Sequence, residues 1–467
     1  MTPGNAAWVD PVEESGAPLY RVVRGQHGGA LKPESVSTKQ ERIAKLARDN
    51  LARALFSLNH YLDYEWVHYA YECTRKDGAV GVDEQTAEEY AANLEQNLLS
   101  LINRLKSGRY HAPPVRRHYI DKPDGSKRSL GIPGFEDKVA QRAVVMLLEP
   151  IFEQDFMDCS FGFRPRRNAH QALQVVRSGI MERGERWVLD VDVRKYFASI
   201  GHAKLREFLD RRVTDGVVRR LIDKWLKAGV LEDGQLFYPE TGTPEGGVVS
   251  PLMANVFLHH VIDRWFAEEV QPRLHGSSTL VRYCDDFVML FARRDDAERV
   301  LAVLAKRLDK YGLQLHPEKT RMVDFRIREP RGHTNEEGMA TSFNFLGFCH
   351  VWGRSRKGTV VVRQVTAKDR FARTLKAINE QCRKMRHWLL TDQHQRLTQM
   401  LKGHYAYFGI SGNYQRLGAL WHQAARCWQK WLSRRSTRSY LRWAVFQRVL
   451  ATLPLPKPTI VHRYAGV

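Results

Sequence analysis

Two adjacent aspartates, Asp285 and Asp286, interrupt a run that is otherwise apolar, with Leu280-Val281-Arg282-Tyr283 before them and Phe287-Val288-Met289-Leu290-Phe291 after. β-Branched and aromatic residues on both arms, with polar residues between them, predict a tight hairpin bent at Tyr283-Cys284-Asp285-Asp286. Carboxylates held side by side on a rigid tip resist ionisation, because like charges at short range raise each other's pKa. A divalent cation removes that penalty and points to a role in holding metal for in-line phosphoryl transfer. Adjacent aspartates are also common on solvated loops, and the chain offers a comparison at Asp295-Asp296. There the pair precedes Ala297, Val300, Leu301, Leu304 and Leu308 at helical spacing, which reads as a helix start with negative charge at the positive end of the dipole. The pair at 285–286 has strand character on both sides instead.

A metal clamp needs a further acid, and Trp187-Val188-Leu189-Asp190-Val191-Asp192-Val193 contains two. Strand alternation puts Trp187, Leu189, Val191 and Val193 on one face and Val188, Asp190 and Asp192 on the other. Carboxylates on a strand with a buried face require partners or a cation, and by geometry alone Asp190 and Asp192 compete for that role. Tyr196-Phe197 follows closely enough to line a sugar. Between the acid strand and the hairpin, Gly242-Thr243-Pro244-Glu245-Gly246-Gly247 forms a bend. Its glycines would let backbone approach a flat partner such as a base pair.

Charge narrows the partner class. Lys and Arg number 73 against 52 Asp and Glu, a net charge of +21. Of this, +20 lies in residues 351–467, where Asp369, Glu380 and Asp392 are the only acids. A nearly neutral body joined to a strongly basic last quarter predicts separate duties, with the basic part holding a polyanion. Six tryptophans fall in the same stretch. Trp421, Trp428 and Trp431 read best as that region's own core, the others as candidates for stacking on bases. No run approaches the roughly 20 apolar residues of a membrane span, and residues 1–20 lack the apolar core of a signal peptide, so no membrane partner is expected. Cysteines 73, 159, 284, 349, 382 and 427 include no C-x-x-C pair, which disfavours a cysteine zinc site and suits a reducing cytoplasm.

The ordered blocks identify a family. Gly81-Val82-Asp83, Lys122 to Pro133, Ser160-Phe161-Gly162-Phe163-Arg164-Pro165, the Asp192 strand, the Gly242 to Pro251 bend and the Tyr283 to Asp286 hairpin are followed by further matches. These are Gly312 to Thr320, Phe345-Leu346-Gly347-Phe348, Gly403 to Gly409 and Leu455 to His462. Together, from about residue 65 to 462, they resemble the reverse transcriptases encoded by bacterial group II introns, the intron maturases. The resemblance implies an α+β right-hand polymerase, with an antiparallel palm sheet and a basic, all-α thumb. Its divisions would be a flexible leader over 1–40, a helical N-terminal extension over 41–109, fingers and palm over 110–360, and the thumb or maturase domain over 361–467.

The resemblance also implies an RNA-directed DNA polymerase that binds its group II intron RNA, assists splicing and copies the intron into DNA. Asp192, Asp285 and Asp286 would bind two Mg²⁺, with dNTPs, an RNA template and a DNA primer as substrates. Lys122 and Arg128 match residues that grip the triphosphate, and Phe197 the residue that excludes a 2′-hydroxyl. Glu245 matches a position near the templating pair and nucleotide. Arg164, Gly246, Lys319, Leu346 and Gly347 match positions on the primer or template side. Three departures stand out: Glu245 where the family usually has Gln, Cys284 where it usually has Ala, and Ala198-Ser199 in place of an Asp-containing pair. The HNH-type nuclease of many relatives is not expected. Two other readings share these motifs: an RNA-binding splicing factor with an impaired polymerase, and a free-standing intron-derived polymerase serving repair or phage defence. Oligomeric state is not set by the sequence.

Overall fold

The alternation expected of the acid strand becomes, in three dimensions, a sheet with a different core on each face. A computed structural model describes residues 34–121, 125, 127–232, 234–238, 240–243, 245–327, 339–355, 357–436 and 440–464. The architecture is α+β, with three sheets among the described residues. The first contains β1 (Val115–Asp121), β2 (Lys127–Ile132), β4 (Val230–Glu232) and β5 (Gln235–Phe237) in the order β2-β1-β4-β5, with β1 and β4 parallel and the other pairs antiparallel. The central sheet is wholly antiparallel: β3 (Trp187–Val191), β6 (Ser278–Tyr283), β7 (Asp286–Phe291) and β8 (Arg321–Asp324), ordered β6-β7-β3-β8. The third is an antiparallel ribbon of β9 (Phe343–Phe345), β10 (Phe348–Arg354) and β11 (Val360–Thr366).

Strand period separates the two faces of the central sheet. Trp187, Leu189 and Val191 of β3, Leu280 of β6 and Phe287, Met289 and Phe291 of β7 enter one core, shared with the N-terminal helices and the helix Phe135–Phe152. That helix is apolar around most of its circumference because neighbours cover it on several sides. On the opposite face Val188, Val281, Val288, Leu290 and Val323 join a second core, built with the helix Ala169–Met181 and the C-terminal helices.

Two expectations about organisation change. The leader expected up to residue 40 gives way to helix by Glu34, the helix Glu34–Asp49 burying Val36, Ile43 and Ala47 against Phe135–Phe152. Its apolar stripe is only three residues wide in a strongly polar segment, too thin to stand out as a pattern. The second change concerns the basic segment, which does not have a core of its own. Leu397, Leu401, Tyr405, Leu417, Trp428 and Phe446 are continuous with the valines of the central sheet, so a boundary at 360/361 cuts one packed interior. Trp428 is fully buried there and Trp421 and Trp431 pack beside it, the core role read from the sequence. No helix among the described residues is long and apolar enough to cross a membrane, and all six cysteines are free.

Candidate active site

The hairpin is as tight as its sequence predicts. Tyr283 pairs with Asp286, leaving Cys284-Asp285 as a two-residue loop, with Cys284 at φ +59°. A positive φ at a residue other than glycine is held only where surroundings over-determine it, and here they do. Arg282, completely buried on β6, donates to both carboxylate oxygens of Asp263 at 2.7 and 2.6 Å, to Asn255 at 2.9 Å, to Ser160 at 2.7 Å and to the carbonyl of Cys284 at 3.0 Å. Asp263 comes from a π-helical turn, His259–Asp263, that continues the helix Ser250–Leu258. Behind the loop runs Cys159 to Phe163, bonded to Arg282 through backbone at both sides. Gly162 in that segment approaches so closely that a Cβ would stand 2.5 Å from the Cys284 nitrogen.

The register brings the acids together. Asp190 pairs with Val288 and Val191 with Phe287, so one residue further Asp192 lies across from Asp286. Burial pushes Asp286 well above the usual carboxylate range, and Asp190, Asp285 and Asp192 raise it further, while a hydrogen bond from the Leu346 amide opposes them. Asp285 is pushed up to about 6 by burial, with Arg128 pulling it down and Glu245 pushing it up. Asp190 is likewise raised to about 6 by burial, opposed by Arg321, which pairs with it at 3.1 Å. Asp192 is the more open of the two, 45% exposed, with the Lys319 ammonium at 3.7 Å. Lys319 reaches it because the segment after Leu315 docks on the strand: the His316 amide donates to the Asp192 carbonyl at 2.8 Å, as does the Thr320 hydroxyl at 3.2 Å.

Carboxyl groups crowded around Asp286, raising its pKa and offering only oxygen, have the chemistry of a hard divalent-cation site. The sheet-end acids are spread more widely than a closed ligand set. Among the described residues, the three-residue group whose ligand atoms all lie within 4.8 Å of one another is His275, Asp295 and Asp296. There the carboxylates are already engaged by Arg293, Arg299 and backbone amides at the start of the helix Arg294–Asp309, in keeping with the helix-start reading of that pair.

The other sequence candidates are placed as follows. Arg128 on β2 forms an ion pair with Glu245 at 3.0 Å, so the unusual carboxylate is screened by a guanidinium. Gly246, at φ +113°, lies with its Cα against Gly131, whose carbonyl oxygen would be 2.6 Å from a Cβ. The close partner at this glycine is protein backbone. Phe197 is 3% exposed, in the short helix Tyr196–Ser199. The same bend is tied to that helix by Thr243 donating to the Phe197 carbonyl at 2.9 Å. Leu346 and Gly347 form the loop between β9 and β10, at φ +50° and +78°, which brings the Leu346 amide to Asp286. Arg164 is buried, 4% exposed, and donates to Glu153 at 3.0 and 3.1 Å and to the carbonyls of Met157 and Ser160 at 2.6 and 2.8 Å. Lys122 lies outside the described residues.

The sequence reading passed over several residues. Arg282, Asp263 and Asn255 carry the hairpin tip, and the detectable signal was a cation at the inward register of an apolar strand. Tyr407, from the helix Leu390–Phe408, donates to the Leu346 carbonyl at 2.8 Å. Asp286 acts in turn on both Tyr407 and Arg370. Nothing local in the basic segment announced electrostatic coupling to an acid so far upstream.

Residues 120–350 match the family described as reverse transcriptase (RNA-dependent DNA polymerase). Protein YkfC of Escherichia coli is 31% identical over 388 residues, covering 73% of this chain and 96% of its own. The group II intron-encoded protein LtrA of Lactococcus lactis is 38% identical over 226 residues, 47% of this chain and 37% of LtrA. The mitochondrial nuclear intron maturase 2 of Arabidopsis thaliana is 27% identical over 230 residues, 38% of this chain and 31% of the relative.

Proposed function

The chain belongs to the reverse transcriptases of the group II intron maturase family, and from that premise we propose that it copies RNA into DNA at the sheet-end acids, and that its basic C-terminal segment binds the group II intron RNA whose splicing it assists. In this reading the chain from residue 110 to the end of β11 is fingers and palm, and the helices after it are the thumb, packed on the central sheet. The observation that carries it is the convergence of Asp192, Asp285 and Asp286 at one end of the central sheet, beside a guanidinium and an ammonium.

Asp192, Asp285 and Asp286 would hold two Mg²⁺, which when bound supply a lowered pKa for the primer 3′-hydroxyl and charge neutralisation for the triphosphate. The remaining work falls to the chain. Arg128 would take the triphosphate oxygens as a planar donor fork, with Lys122 as a second cation. Lys319 keeps positive charge beside Asp192. Phe197 would bar a 2′-hydroxyl by contact, and the Leu346-Gly347 loop would seat the primer end next to Asp286. Arg282 and Asp263 keep the tip from shifting, which matters because a displacement of about 1 Å costs on the order of a hundredfold in rate.

Purified full-length protein with an RNA template, a DNA primer, dNTPs and Mg²⁺ tests this. Extension is expected in the wild type, with loss of more than about a thousandfold in Asp192→Asn and Asp285→Ala, and substantial retention in Asp190→Asn. Extension that survives Asp285→Ala would refute the assignment. Splicing of the intron RNA is expected to persist in both acid variants, since neither touches the basic segment.

A further inference from the structure

Arg128 and Glu245 are 18% and 21% exposed, and the guanidinium Nε stands 3.0 Å from the carboxylate. The two strands of chain that carry them are joined without that pair. The Gly131 amide donates to the Glu245 carbonyl at 2.5 Å, and the next residue, Gly246, packs its Cα on Gly131. Removing the side-chain contact therefore leaves the seam between β2 and the bend in place. The pair is also within electrostatic reach of Asp285, on which Arg128 and Glu245 act in opposite senses.

We propose that Glu245 is an internal competitor for the incoming triphosphate, occupying the Arg128 guanidinium until phosphate oxygens displace it. This rests on the reading of Arg128 as a triphosphate ligand. A carboxylate and a phosphate present the same bidentate acceptor geometry to a guanidinium. A triphosphate carries more charge and wins the exchange, whereas singly charged anions do not. Once displaced, Glu245 is left as an unpaired carboxylate beside a polyanion, so every bound nucleotide is weakened by its presence. The same repulsion favours departure of pyrophosphate, after which the ion pair re-forms. Glu245 is thus a specificity-determining residue acting through Arg128.

Glu245→Gln keeps the shape and removes the charge. Single-nucleotide incorporation by the full chain should show KM for dNTP lowered about tenfold with kcat within about twofold. Inorganic tripolyphosphate, titrated calorimetrically, should bind Glu245→Gln about tenfold more tightly than wild type. Glu245→Asp should fall between them, and Arg128→Ala should abolish the difference made by Glu245→Gln. A melting temperature within a few degrees of wild type checks that the variants fold. A merely structural tie predicts the opposite, with KM raised and kcat reduced together. The proposal is overturned if KM is unchanged or raised in Glu245→Gln, or if the gain persists in the Arg128→Ala background. Should the wild type extend no primer, the polymerase reading fails, and the tripolyphosphate titration still decides: equal affinities for wild type and Glu245→Gln overturn the competitor role.

Discussion

Arg282 is held by both carboxylate oxygens of Asp263, with neither side chain exposed to solvent. The same guanidinium reaches the carbonyl of Cys284 at 3.0 Å, so a buried ion pair supports the loop that presents Asp285. Breaking such a pair from one side leaves an uncompensated buried charge and costs roughly 3–5 kcal/mol. Asp263→Asn is expected to lower unfolding free energy by that order and to reduce primer extension further than the stability loss explains. Denaturant titration and single-turnover rates at a temperature where the variant stays folded measure both. An Asp263→Asn protein with wild-type turnover would remove the ion pair from the account of the tip.

Gly162 is a second support that admits no side chain. A Cβ would meet the Cys284 nitrogen at 2.5 Å and the Tyr283 carbonyl carbon at 3.0 Å, both backbone atoms that cannot rotate away. Gly162→Ala is expected to fold with about 1–3 kcal/mol less stability, and to lose up to about a hundredfold in kcat as the tip is displaced. Gly418, inside the helix Tyr414–Leu432, meets nothing within 4 Å. Gly418→Ala is the control, stabilising by up to about 1 kcal/mol with activity unchanged.

Acid sensitivity should arise from histidines buried neutral. His404 is 3% exposed, stacks on Phe408 with ring centroids 4.5 Å apart, and has neither ring nitrogen hydrogen-bonded. Burial pushes it down to about 3. The unfolded chain therefore takes up this proton first as pH falls below about 6.5, and stability drops by up to about 1.4 kcal/mol per pH unit for this one group until the folded value is reached. His404→Phe should leave stability at pH 7 nearly unchanged and raise the melting temperature relative to wild type at pH 5. The buried acids Asp137 and Asp190, both raised to about 6, have the opposite sign and are untouched by this substitution. Parallel melting curves for the two proteins across pH 4–7 would rule out a His404 contribution.

The basic segment should make RNA binding strongly salt-dependent. Deleting it is uninformative, because its residues complete the core on one face of the central sheet. Lys376, Arg383 and Lys384 are exposed on the helix Lys368–Lys384. Replacing all three by Gln should weaken binding to structured intron RNA uniformly and reduce the slope of log affinity against log salt by up to about 3. Filter binding at several salt concentrations reports that slope. An unchanged slope would move the RNA contact elsewhere.

Local chemistry was enough to read the acid hairpin, the alternation of β3 and the helix start at Asp295-Asp296, because period and turn residues act within a few positions along the chain. The family blocks added the pairing of Asp192 with the hairpin. Two matters were decided only by tertiary structure. One is partnership: Glu245 finds Arg128 117 residues away, Asp190 finds Arg321, Arg164 turns inward to Glu153, and the Leu346 that bonds Asp286 through its amide is held by Tyr407 through its carbonyl. The other is the continuity of the basic segment with the central sheet. Periodicity reports that a side chain is apolar or charged and on which face it falls. Which distant group shares its desolvated space depends on how whole elements pack, and that packing sets the pairing, the pKa and the role of a buried charge.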